Sequence, residues 1–225
     1  HHHLGPRIRG RGNLPQGDQM KLTDNGGKEF EAAPAGNHIA RCVGMIDLGT
    51  QTGEYQGKTT HARKIVLRWE LPNELISEGE WAGKPFVVQQ FYTASLSEKA
   101  NLRKVLESWR GRPFTPEELM GFDSKNLLDK PCMVNITHTD KGKAKVTSVA
   151  QVPKGMQVPG RVNDLLYFSL EPDEFKAPVF EGLSDFYKEQ IRKSPEWEDL
   201  HGNSRPVQQG AKPDHFNDFE SDIPF

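Results

Sequence analysis

Thr60-His61-Ala62-Arg63-Lys64-Ile65-Val66-Leu67-Arg68-Trp69-Glu70-Leu71 is the stretch whose reading decides the fold. Ile65, Leu67, Trp69 and Leu71 alternate with Lys64, Val66, Arg68 and Glu70, the two-residue period of a half-buried strand. The first set is expected to face a core, with Trp69 packed there. The second, carrying Lys64 and Arg68, is expected to be basic and exposed.

Upstream, His38 to Asp47 reads as a strand in which Gly44 marks a bulge or sharp coil. Leu48 to Thr59 reads as a long, Gly-punctuated hairpin loop with Tyr55 and Lys58 near its tip. Downstream, Pro72 to Pro85 is a loop containing Trp81, and Phe86 to Tyr92 is a third strand. A helix capped by Ser97 follows, with Leu102, Val105, Leu106 and Trp109 at helical spacing before Gly111. Thr115-Pro116-Glu117-Glu118 opens a second short helix, and a further turn is expected around Asn126 to Leu128. Cys132 to His138 is a fourth strand, joined through Thr139-Asp140-Lys141-Gly142-Lys143 to a fifth from Ala144 to Val152. Three strands, a helical insertion and a two-strand hairpin is the order of a five-stranded Greek-key barrel of the oligonucleotide-binding (OB) type. The expected class is mainly β with helical insertions.

The chain is expected to divide into an expression remnant over 1–19, with Met20 as the native start, a barrel over 20–160, a helical extension over 161–200 and a flexible, disordered acidic tail over 201–225. The extension carries aromatic anchors at Tyr167, Phe168 and Phe175, then a helix from about Ser184 to Lys193 stopped by Ser194-Pro195. Charge follows the same division. Met20 to Gly160 holds 19 Lys+Arg against 16 Asp+Glu, whereas Arg161 to Phe225 holds 7 against 14. A mildly basic body with an acidic end suggests nucleic-acid contact in the body. Cys42 and Cys132 fit buried small hydrophobes in a reducing compartment, too few for a zinc site without histidines at ligand spacing. No apolar run reaches membrane-spanning length, so no membrane partner is expected.

In a barrel of this type the second and third strands, with the one-two and four-five loops, form the groove for single strands. That places Tyr55 and Lys58 in the first loop, Lys64 and Arg68 on strand two, Arg41 on strand one, Tyr92 at the end of strand three, and Lys141, Lys143 and Lys145 around the four-five turn. Cations track phosphates and exposed rings stack on bases, with no need for a particular base sequence. Phe91 and Tyr92 point to opposite faces, so only one of them can face the groove.

The last residues, Asp218-Phe219-Glu220-Ser221-Asp222-Ile223-Pro224-Phe225, put acids on an extended segment ending in an aromatic with a free carboxylate. Pro224 disfavours helix, and a ring plus a carboxylate suits an apolar pocket with a basic rim on a partner protein. The acidic residues before Ile223-Pro224-Phe225 resemble the tip of bacterial and phage single-stranded DNA-binding proteins. Ile46-Asp47-Leu48-Gly49-Thr50-Gln51-Thr52-Gly53, Leu67-Arg68-Trp69-Glu70-Leu71 and Leu106-Glu107-Ser108-Trp109-Arg110-Gly111 likewise resemble phage and prophage proteins of that kind. The resemblance implies an OB fold, protection of single-stranded DNA during phage replication and recombination in the cytoplasm of a bacterial host, and no cofactor. It also implies recruitment of replication and recombination enzymes through Asp218, Phe219, Glu220, Asp222, Ile223, Pro224 and Phe225. Homo-oligomers occur in the family, but the long insertion and the extension after Gly160 depart from the housekeeping form.

Three other readings compete. A nuclease or other hydrolase would need His38, His61 and His138 with Asp47 and Asp140 to assemble, yet the chain holds no paired-His helix motif, phosphate loop or nucleophile elbow. A pure adaptor would bind a host enzyme through Phe225 and never touch DNA. An RNA-binding OB module is the third.

Overall fold

The longest strand, β1 (Gly36–Tyr55), organises the sheet in a computed structural model, which describes residues 31–202. Its first residues, Gly36 to Arg41, pair antiparallel with β4 (Pro131–His138), and Arg41 to Tyr55 pair antiparallel with β2 (Lys58–Leu75). Register shifts at Cys42/Gly44 and Asp47/Gly49 bend the strand so that its two halves serve different neighbours. β2 continues to β3 (Pro85–Thr93) and β4 to β5 (Ala144–Ala150), giving the path β3-β2-β1-β4-β5. The two ends of this open antiparallel path, β3 and β5, curl round to lie near each other.

The region read as a long loop after Leu48 is instead strand. β1 and β2 run on as a ribbon to the pair Tyr55↔Lys58 and turn through Gln56 and Gly57 alone. Both turn residues have positive φ, 50° and 78°, the signature of the two-residue turn whose twist matches a hairpin. The glycines at 49 and 53 that suggest a loop sit inside the ribbon, one of them at a bulge.

Strand two packs as its alternation requires. Ile65, Leu67, Trp69 and Leu71 are buried with Cys42, Met45, Val88, Tyr92, Val134 and Val146 in one core, which α1 (Asn101–Arg110) closes with Leu102, Val105, Leu106 and Trp109. The Trp69 and Trp109 rings meet edge-on at 6.1 Å, and Trp109 Nε1 donates to the Pro131 carbonyl at 2.9 Å. Ser97 does not cap this helix: Ala100 holds the N-cap position, and Ser97 is engaged in a tight turn with Ser95. α2 (Pro116–Met120) begins with a full capping box between Thr115 and Glu118, and a 3-10 turn follows at Ser124–Leu127.

The extension after Gly160 holds more structure than the expected single helix. β6 (Leu166–Phe168) pairs parallel with Gly44 to Ile46 of β1, and α3 (Ala177–Glu181), α4 (Asp185–Arg192) and α5 (Pro195–Leu200) follow. Ser194, read as a stop, caps α5 by accepting from the Trp197 N–H. Phe168, Leu170, Phe180, Leu183, Tyr187 and Ile191 bury themselves against Ile46, Leu48, Val66 and Phe91 in a second core on the opposite face of the sheet. Each such side chain contributes roughly 1.5–3 kcal/mol on burial, so the extension is an integral layer of the fold. Among the described residues no helix is long and apolar enough to cross a membrane.

Candidate nucleic-acid interface

The second core corrects the expected groove. The outer face of β1, β2 and β3, where a single strand was expected to lie, carries the chain's own helices α3 and α4, while β6 extends the sheet beside β1. Buried carboxylates fasten this layer. Glu70, fully buried on β2, accepts from the Val162 N–H at 2.8 Å and from the Asn163 N–H and Nδ2 at 2.9 and 3.1 Å. Asp47 on β1 accepts from the Leu170 N–H at 3.0 Å and pairs with Arg63, whose guanidinium is thereby held even more firmly protonated than usual. Beyond them Gln51 Nε2 donates to the Gln190 carbonyl at 2.7 Å, and Glu196 accepts from the Thr50 N–H at 3.0 Å.

Three of the nine expected binding residues are consumed by this arrangement or by the core, and a fourth, Arg68, lies half-buried beside it. Tyr92 is 1% exposed, inside the first core beside Cys42 and Cys132, where burial pushes its phenol well above the usual range. Phe91 is buried too, under Phe186 and Tyr187, so neither strand-three aromatic faces solvent. Lys64 is buried rather than exposed; its Nζ donates to Thr93 Oγ1 at 2.8 Å, and desolvation brings its pKa down to about 8. Arg68 is half-buried, its aliphatic stem against Gly44, and Tyr187 stands close by with its hydroxyl donating to Gln89. Arg41 spends its guanidinium on the carbonyls of Asp129, Val158 and Pro159 at 2.5–3.3 Å, which tethers the segment leading into the extension.

The other five sit at or beside two exposed turns. Tyr55 is 66% exposed and is the cross-strand partner of Lys58, so the two side chains leave neighbouring backbone positions at the ribbon tip. Every residue from Glu54 to His61 is exposed. Lys141 and Lys143 are exposed on the β4–β5 turn, which is closed by Thr139 N–H to Lys143 carbonyl and Gly142 N–H to Thr139 carbonyl bonds of 2.8 Å, and Lys145 is half-buried at the start of β5. One exposed pair was not assigned a role from the sequence: Lys84 Nζ lies 5.7 Å from the ring centre of Trp81, itself 47% exposed. A tryptophan amid Glu, Gly and Lys in a loop was the available signal.

His38, His61, His138 and Asp47 of the hydrolase reading are each engaged in structural hydrogen bonds. His38 donates to the Pro34 carbonyl, His138 to the Ala33 carbonyl, His61 hydrogen-bonds Thr52 on the ribbon, and Asp47 is saturated. Among the described residues no group of three or more His, Cys, Asp or Glu is placed to hold a metal ion. Cys42 and Cys132 are both buried, and burial raises the Cys42 thiol to about 12. The tip residues Asp218 to Phe225, the segment 1–30 and the tail beyond Gly202 lie outside the described residues. No family model matches the chain, and no curated protein matches it.

Proposed function

We propose that this chain binds single-stranded DNA with little regard to sequence, through projecting turns of an OB-type barrel rather than across its sheet face. The strand order β3-β2-β1-β4-β5, the approach of β3 to β5 and the helix between β3 and β4 support the barrel reading. The observation that carries the nucleic-acid reading is the Tyr55–Lys58 pair, a ring and a cation on neighbouring backbone positions of an exposed tip. Lys141 and Lys143, with Lys145 behind them, supply further phosphate-binding groups from the β4–β5 turn. Arg41, Lys64, Arg68 and Tyr92 have no part in binding. The resemblance noted above extends the proposal to phage DNA replication and recombination in a bacterial host, with Asp218 to Phe225 recruiting partner enzymes.

Fluorescence anisotropy with oligo-dT, oligo-rU and duplex of equal length tests this directly. Salt-sensitive binding to oligo-dT that exceeds binding to the other two is expected. Removing one phosphate-neutralising cation, as in Lys58→Ala or Lys141→Ala, should flatten the salt slope by about 0.7. The closed sheet face favours one second reading, the adaptor that captures a partner enzyme and leaves DNA alone; absence of binding to all three oligonucleotides would select it.

A further inference from the structure

The β1–β2 ribbon is a stiff object rather than a loop. Six successive pairs, Thr50↔Arg63, Gln51↔Ala62, Thr52↔His61, Gly53↔Thr60, Glu54↔Thr59 and Tyr55↔Lys58, lie past Lys64, where the β3 pairing ends. At about 3.4 Å per residue they span roughly 20 Å. The base of the ribbon is fixed from several directions. Gln51 is bound to α4, Thr50 to Glu196 of α5, Arg63 to Asp47 and Glu171, and Gly49 lies against Ser194. A side chain on such a ribbon is held by paired, anchored backbone, unlike one on a flexible loop.

At its end stands a single ring. Tyr55 is the most exposed aromatic among the described residues, and the next, Trp81, sits in the β2–β3 loop at the opposite end of β2. The face between them is closed by the second core. Among the described residues a strand of bases therefore finds no row of rings to stack along, as an open groove would offer. What one ring at the tip of a paired ribbon matches is one flat, unstacked surface: the end face of a duplex where a single strand departs from it. Lys58, the cross-strand partner of Tyr55, supplies a cation for the phosphate at that step.

We infer that Tyr55 is a stacking pin that caps the terminal base pair at a single-strand/duplex junction, so that the protein prefers junctions to bare single strands. This rests on the nucleic-acid reading above and narrows its ligand. The stacking contributed by one ring corresponds to about a tenfold or larger preference.

The test is anisotropy of the full chain with three labelled probes: a DNA hairpin with a dT overhang, the same dT segment alone, and the blunt hairpin. The hairpin with overhang should bind about tenfold more tightly than dT alone, Tyr55→Ala should bring the two together, and Tyr55→Trp should keep them apart. Equal affinity of the wild-type chain for dT with and without the hairpin overturns the pin and leaves the single-strand reading standing. The pin is equally overturned if Tyr55→Ala weakens both probes to the same extent, since the ring would then stack on any base. Failure to bind any of the three overturns the underlying reading itself.

Discussion

Gly49 on β1 and Ser194 at the head of α5 meet so closely that a Cβ on the glycine would lie 2.5 Å from the Cβ and Oγ of the serine. Gly49 also has φ +71°, where L side chains are strained, and Leu170 Cδ1 would be 3.0 Å away. The extension is locked onto the sheet at this point.

Gly49→Ala should therefore destabilise the fold by about 2–4 kcal/mol, the sum of overpacking and backbone strain. Gly57→Ala serves as its control. Gly57 has φ +78° but nothing within 4 Å of the added carbon, so only the strain of roughly 1 kcal/mol applies. Thermal melts followed by circular dichroism should separate the two by several degrees.

If the extension is an integral layer, truncating a side chain at its centre weakens the whole domain. Phe180 and Ile191 are 2% and 0% exposed. Phe180→Ala should cost about 3–5 kcal/mol and Ile191→Ala about 2–5, in a single cooperative transition. Two separated transitions, with the first spanning only 161–200, would show a detachable lid instead.

Glu70→Ala strips the acceptor from two backbone N–H groups, at about 1–3 kcal/mol for each donor left unsatisfied. Hydrogen exchange should speed up first at Val162 and Asn163, before the β2 amides. Unchanged protection there would mean that the carboxylate is not the fastening.

Lys64 makes a prediction in pH. Its folded pKa of about 8 lies below the unfolded value of 10.5, so burial disfavours the charged form. Below pH 8 both states carry the proton and the penalty is fully present. Between pH 8 and 10.5 the unfolded state binds more protons than the folded one, so this group's contribution to stability rises with pH. Lys64→Met should be more stable than the wild-type chain near pH 7, with the difference shrinking towards pH 10.5 in urea titrations. A difference that stays constant across that range would contradict the depressed pKa.

Period and turn chemistry explain what was legible beforehand. The alternation from Ile65 to Leu71, the helical spacing of Leu102 to Trp109 and the helix start at Thr115-Pro116 are local signals, and the structure follows each of them. The ribbon is hidden in the sequence because Gly49 and Gly53 signal a loop locally, while cross-strand pairing and the docked extension decide the outcome. The outer face of β2 is hidden for a deeper reason. Lys64, Arg68 and Glu70 are the pattern of a solvated face, and only the tertiary fold shows that Glu70 accepts three hydrogen bonds and that Val66 shares a core with Phe168 and Phe180. Asp47 amid Met45, Ile46 and Leu48 was the signal that something charged or hydrogen-bonding had to meet that face.

Affinity of Tyr55→Ala for a hairpin with a dT overhang, measured beside that of Arg68→Ala, bears most directly on where the nucleic acid lies. Binding at the ribbon tip predicts a loss of roughly 5- to 100-fold for Tyr55→Ala, the value of one stacked base, and less than about a twofold change for Arg68→Ala. A large loss for Arg68→Ala with Tyr55→Ala unchanged would put the strand back on the sheet face and contradict the account.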